Sequence, residues 1–132
     1  MTEELITFET AKLAKEKGFD ELTKTLYITD KDTTRLAKAN NSKRTNSNYI
    51  ELEDYKVYSA PTQSLLQKWL REKYGVHVTP FLKSSGYEIL FMEMSEGYPF
   101  TTKPTAYEGQ SFETYEEALE LGLRDRLEHL KI

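Results

Sequence analysis

The sequence contains no cysteine, which excludes a disulfide framework, thiol catalysis and cysteine–zinc sites. Histidine is nearly absent too, with His77 and His129 alone. A metal centre needs several His or carboxylate ligands at convergent spacing. None is spaced that way, so neither a metal nor a cofactor is expected. There is no Gly-rich phosphate loop, G-x-S-x-G elbow or His-Glu-x-x-His. No apolar run approaches the roughly 20 residues of a membrane span, so no membrane association is expected. The start, Met1-Thr2-Glu3-Glu4-Leu5, is acidic where a signal peptide would be basic. These absences predict a cytoplasmic protein.

Charge comes next. The net charge of −4 disfavours bulk attraction to nucleic acid or anionic lipid. Its distribution is uneven. Residues 31–48 hold Lys31, Arg35, Lys38, Lys43 and Arg44 against Asp32 alone, a net of +4 that leaves −8 elsewhere. At 132 residues the chain can bury a core of its own. The expectation is one domain, 1–132, with a mobile basic loop at about 31–48.

The clearest element lies at Tyr58 to Gly75. Ser59 or Thr62 can cap a helix, Pro61 suits its first turn, and Gly75 supplies the left-handed stop. Leu65, Leu66, Trp69 and Leu70 form an apolar stripe, extended by Tyr74. Gln63, Ser64, Gln67, Lys68, Arg71 and Glu72 fall on the other side. A first helix is predicted from Phe8 to Lys17, capped by Thr7 and stopped by Gly18. A last helix opens on the capping box Thr114-Tyr115-Glu116-Glu117. Its stripe runs through Tyr115, Ala118, Leu119, Leu123, Leu127 and Leu130. Gly122 lies on that stripe, where it would let another backbone come close.

Strands are predicted at Leu26–Thr29, Tyr49–Leu52, Tyr55–Tyr58, Val76–Leu82 and Tyr87–Met94. Pro80 puts its strand at an edge or a bulge. The run 87–94 is the most apolar and should be central. Thr33–Ala39 reads as a helical turn inside the basic loop. Residues 97–110 read as a long loop, with a short strand near Tyr107 or Phe112. The order gives an α+β fold, a small mostly antiparallel sheet with helices packed on one face.

Candidate chemistry is sparse. His77 reads as an ordinary strand residue. His129, one turn after Asp125, reads as a surface ion pair or a partner of the helix dipole. Glu116 and Glu117 are accounted for by the helix start, and Glu51 and Glu53 share what should be a solvated strand face. Acid–base catalysis needs two carboxylates in different environments within a cleft. No catalytic residue is therefore assigned, and a non-enzymatic protein is expected. Nine tyrosines favour a contact surface.

Three phrases carry a resemblance: Phe8-Glu9-Thr10-Ala11-Lys12-Leu13-Ala14-Lys15-Glu16-Lys17-Gly18-Phe19, the stretch Tyr58 to Glu72, and Thr114 to Leu123. Together they resemble small uncharacterised proteins encoded by phages and prophages of gut bacteria. The resemblance implies a setting, the cytoplasm of a bacterial host, and no activity. The function expected is that of a phage-type accessory protein binding a host or phage protein, with anti-defence as one form of it. The alternative is a small nucleic-acid binder of winged-helix type, with the hairpin 76–94 as wing. From residue 62 onward the element order also resembles a double-stranded-RNA-binding domain. There, however, Glu116 and Glu117 would meet phosphate and repel it. The candidate partner-binding or nucleic-acid-binding residues are Gln63, Gln67, Lys68 and Arg71 on the helix, with Arg35, Lys38, Lys43 and Arg44 in the basic segment.

Overall fold

The computed structural model describes residues 3–39, 45–49, 51–95, 98–101 and 109–130. Its order is α1 (Phe8–Glu16), β1 (Thr25–Thr29), β2 (Thr34–Lys38), a short 3-10 turn (Asn46–Asn48), β3 (Lys56–Ser59), α2 (Gln63–Tyr74), β4 (Val76–Lys83), β5 (Gly86–Ser95), β6 (Tyr98–Thr101) and α3 (Tyr115–His129). The fold is α+β. It holds two small antiparallel sheets where the sequence suggested one, with orders β2-β1-β3 and β4-β5-β6. No helix among the described residues is long and apolar enough to cross a membrane.

The chain divides into two compact units. A C-terminal unit takes the described residues of Met1–Glu4 and Gln63–Lys131, and an N-terminal unit takes those of Leu5–Thr62.

In the C-terminal unit, α2 and α3 pack against β4 and against each other. Leu66, Trp69 and Leu70 are buried on α2, and Ala118, Leu119, Leu123 and Leu127 on α3. Both apolar stripes therefore face inward, as their spacing requires. Gly75 ends α2 with φ +68°, a conformation that suits glycine. Gly122 is a packing device. A Cβ there would sit 2.7 Å from Val78 Cγ1 and 3.0 Å from Ile89 Cγ2. β5 is central, and Pro80 lies on the edge strand β4, opposite Ile89. Residues 98–101, read as loop, form β6 through backbone pairing with β5. Phe112 makes an isolated bridge to Tyr87, and Tyr107 lies outside the described residues.

In the N-terminal unit, Thr7 caps α1 by accepting the Thr10 N–H. Leu26, Ile28 and Val57 bury one face of the sheet with Ala37, Ala39, Tyr49 and Tyr55. On the other face, the ring of Phe8 meets Tyr27 and Tyr58 edge-on at 5.8 and 5.5 Å. The expectation of a loop over 31–48 needs correction. Thr34–Lys38 is a strand, not a helical turn, because its backbone pairs with β1 from Thr25 to Thr29. Asn46 is buried: its Nδ2 donates to Phe19 O at 2.7 Å, and its Oδ1 accepts from Ser59 N at 2.8 Å. That side chain does the work of a backbone pair and pins the turn. Residues 40–44 lie outside the described residues. Of the strand expected at Tyr49–Leu52, Ile50 lies outside the described residues, and among the rest only Leu52 pairs, in an isolated bridge with Tyr55.

Candidate functional site

The C-terminal unit carries a pocket of about 290 Å³ at the heads of α2 and α3. Glu3, Glu4 and Glu116 line it, with Gln63, Ser64, Gln67, Tyr115 and Leu119. Chain entry is fixed by Gln63 N–H donating to Glu4 O at 2.8 Å, and by Ser64 Oγ donating to Glu3 Oε1 at 2.7 Å. Gln63 was expected on a solvated face; it is buried instead. The helix head turns it toward α3, where Nε2 donates to Glu116 O at 2.9 Å and Glu120 Oε1 at 3.1 Å. Those bonds offset the cost of burying an amide, about 1–3 kcal/mol when unmet. Gln67 Nε2 is likewise occupied, donating to Val78 O at 2.7 Å. Both glutamines thus position helices rather than reach outward. Leu119 is almost fully buried, while Tyr115 stays partly exposed on the rim with its ring edge-on to Tyr87 at 6.1 Å.

The remaining candidates fall in two places. Lys68 and Arg71 are exposed on α2. Arg35 and Lys38 are exposed on β2, in the N-terminal unit. Lys43 and Arg44 lie outside the described residues. The pocket thus combines a partly apolar floor with three glutamates and, among the described residues, no cationic lining residue. Such a concavity carries a negative local potential. It suits an ammonium or guanidinium group.

Three polar clusters escaped the reading of the sequence. In the C-terminal unit, Arg126 and Asp125 are both buried, with Nη2 2.6 Å and Nε 3.0 Å from Asp125 Oδ2. The guanidinium lies 4.5 Å from the centroid of the Phe91 ring and 4.0 Å from Glu93 Oε1. It therefore ties α3 to β5. His129 is exposed, with Nδ1 2.7 Å from Asp125 O and 3.8 Å from its carboxylate. The expected surface pair thus has one buried member. Helical spacing carried a signal, since Arg126 falls three residues after Leu123 and four before Leu130.

In the N-terminal unit, the Lys15 ammonium pairs with Glu51, donates to Val57 O at 2.7 Å and lies 4.9 Å above the Tyr58 ring. Burial, followed by the nearby Lys56 charge, holds its pKa below the usual lysine value despite Glu51. Burial, followed by the Glu16 charge, pushes the Tyr58 phenol up. Desolvation also acts to raise the Asp20 pKa. Hydrogen bonds from Ser47 N–H at 2.7 Å and Ser47 Oγ at 2.8 Å, with help from Thr45 and Asn46, outweigh it and leave Asp20 low. Each cluster is accounted for by packing. Glu51 and Glu53 are exposed, and His77 is half-buried on β4 opposite Met92. Among the described residues, no three His, Asp or Glu side chains gather as metal ligands would.

No family model, curated protein or solved structure matches this chain.

Proposed function

We propose that this chain is a non-enzymatic accessory protein of phage type that acts in the cytoplasm of a bacterial host by binding a protein partner. A basic side chain of that partner enters the pocket at the heads of α2 and α3. The observation that carries this reading is the lining of Glu3, Glu4 and Glu116 around Leu119 and Tyr115, with no lysine or arginine among them. An apolar floor supplies contact area and the carboxylates supply orientation, the usual division of labour in a binding pocket. The phage setting rests on the three resembling phrases, and an anti-defence role is one form that binding would take there.

Nucleic-acid recognition is the competing reading. Exposed Lys68 and Arg71 favour it, while the three glutamates at the head of the same helix oppose it. The two separate in one comparison. The wild-type chain and a Glu3→Lys/Glu116→Lys variant are used as baits in bacterial lysate, with carbodiimide crosslinking of carboxylates to amines. The wild type should retain a protein crosslinked at Glu3, Glu4 or Glu116, and the variant should lose it. Retention of the same protein by the variant, or a gel shift of duplex or single strand that weakens steeply with salt, would sink the pocket reading.

A further inference from the structure

We infer that the outer edge of β2 is a docking site for an extended, acidic segment of a protein partner, which adds to the N-terminal sheet as a fourth strand. This goes beyond the pocket reading and does not depend on it.

The pairing pattern fixes which backbone groups face outward. Asp30 N–H donates to Thr33 O at 2.9 Å, and Ala39 N–H donates to Lys24 O at 2.8 Å. In an antiparallel ladder, hydrogen-bonded and non-bonded pairs alternate. With the observed register, Arg35–Ile28 and Ala37–Leu26 are then the bonded pairs. The N–H and C=O groups of Thr34, Leu36 and Lys38 therefore point away from β1. Four of the five residues of β2 are exposed, and Ala37 is half-buried. Among the described residues, no strand and no side chain takes those outward groups.

The opposite edge of the same sheet shows what a closed edge looks like. There β3 has the same alternation, and its outward groups belong to Val57 and Ser59. One group of each residue meets a side chain: Lys15 Nζ donates to Val57 O, and Asn46 Oδ1 accepts from Ser59 N. The β3 edge is thus partly capped, whereas among the described residues β2 presents an unfilled row of donors and acceptors. Such a row recruits extended peptides through main-chain bonds.

The chemistry of the occupant follows from the side chains. Arg35 and Lys38 are exposed and form no ion pair with a described residue; Arg35 shares one face of the strand with Ala37, while exposed Leu36 and Lys38 share the other. A guest strand with acidic residues beside these cations and an apolar residue near Leu36 matches the edge. Asp30 and Asp32 lie in the β1–β2 turn, which keeps the guest's acids toward the middle of β2. A second copy fits less well. Antiparallel self-pairing about Leu36 would set two Arg35 side chains on neighbouring diagonals and gather four cations on one short ladder.

The test uses the full chain and a fluorescein-labelled octapeptide of repeated Glu-Glu-Val-Val, which puts Glu and Val on both faces of the guest strand, read by fluorescence anisotropy. Binding should weaken about tenfold with Leu36→Pro, which removes one outward donor and costs no bond to β1. Arg35→Glu/Lys38→Glu should weaken it at least as much, and it carries the test should the proline variant fail to fold by circular dichroism. A peptide N-methylated at alternate residues should not bind, and a Lys-Val peptide should bind at least tenfold more weakly. Glu116→Lys, in the pocket, should leave binding unchanged, so this proposal and the pocket reading fail separately. The proposal is overturned by no binding of the Glu-Val peptide, by equal binding of the N-methylated one, or by equal binding to the charge-reversed variant. It is also overturned by light scattering that shows a dimer dispersed by either β2 variant, since the edge would then belong to a second copy.

Discussion

The two units hold themselves together by different means. The C-terminal unit is built on leucines at helical spacing, with Leu66, Leu70, Leu123 and Leu127 fully buried between α2, α3 and the sheet. The N-terminal unit has a thinner apolar centre in Leu26, Ile28 and Val57 and depends more on polar side chains that reach across it. Asn46, Lys15 and Asp20 each bond to backbone or side chains distant in sequence. Their surfaces differ as well: an acid-lined pocket on one, a basic strand edge on the other. Apolar burial tolerates imperfect geometry and fades gradually, whereas a buried hydrogen bond is either met or missing.

That contrast can be broken by substitution. The largest effect is expected from Leu123→Ala, which should cost about 2–5 kcal/mol through lost burial and a cavity. Asn46→Ala should cost about 1–3 kcal/mol by removing the bonds its side chain gives Phe19 O and Ser59 N–H, and Asn46→Asp, which sets a buried carboxylate oxygen against Phe19 O, should cost at least as much. Urea unfolding followed by Trp69 fluorescence and by circular dichroism checks both. Trp69 lies in the C-terminal unit, so Leu123→Ala should move its transition further than Asn46→Ala does. Equal movement would mean that the chain unfolds as one body and that the contrast is local.

A smaller effect sharpens the packing side. Gly122→Ala gains about 1 kcal/mol of helix propensity. It also drives a methyl group into Val78 and Ile89, at an overpacking cost of about 1–3 kcal/mol. The net expectation is a loss near 1 kcal/mol in thermal unfolding; a gain would show that β4 yields easily.

The smallest effect concerns Asp20, whose pKa is lowered in the folded chain. A depressed carboxylate adds stability above its unfolded pKa of about 3.9, and that stability is lost as pH falls through the folded value. Asp20 is exposed, so screening keeps the contribution below about 1 kcal/mol. Asp20→Asn should therefore lower the urea midpoint slightly at pH 7 and flatten its fall between pH 5 and pH 3.

These differences also explain what could be read in advance. Thr7, Thr114 and Gly75 announced helix ends because caps and left-handed stops are local chemistry. The inward stripes of α2 and α3 and the edge position of β4 followed from spacing and from single residues; Gly122 does make room, but for the side chains of Val78 and Ile89 rather than for the backbone expected there. β2 was illegible because a strand exposed on nearly all its positions has no apolar alternation, and backbone pairing defines it. β6 lay in a stretch that Pro99 made read as loop, and its backbone pairing with β5 defines it. Gln63 was misplaced because its polarity said surface, while two bonds to α3 made burial tolerable. The pocket could not be foreseen: Glu3, Gln63 and Glu116 stand some 50 to 60 residues apart in sequence and meet only once α2 and α3 are aligned.

Pro80 bears on how these sheets can grow. Met94 N–H bonds Gly75 O, and the alternation that follows makes Pro80–Ile89 a non-bonded pair. The proline nitrogen therefore turns away from β5, and its ring occupies the flank where a newcomer would look for a hydrogen. That margin is sealed against templated extension at no expense to the ladder beneath it. Where the chain crowds in a cell, edge-to-edge growth is stopped at β4, in contrast to the margin of β2.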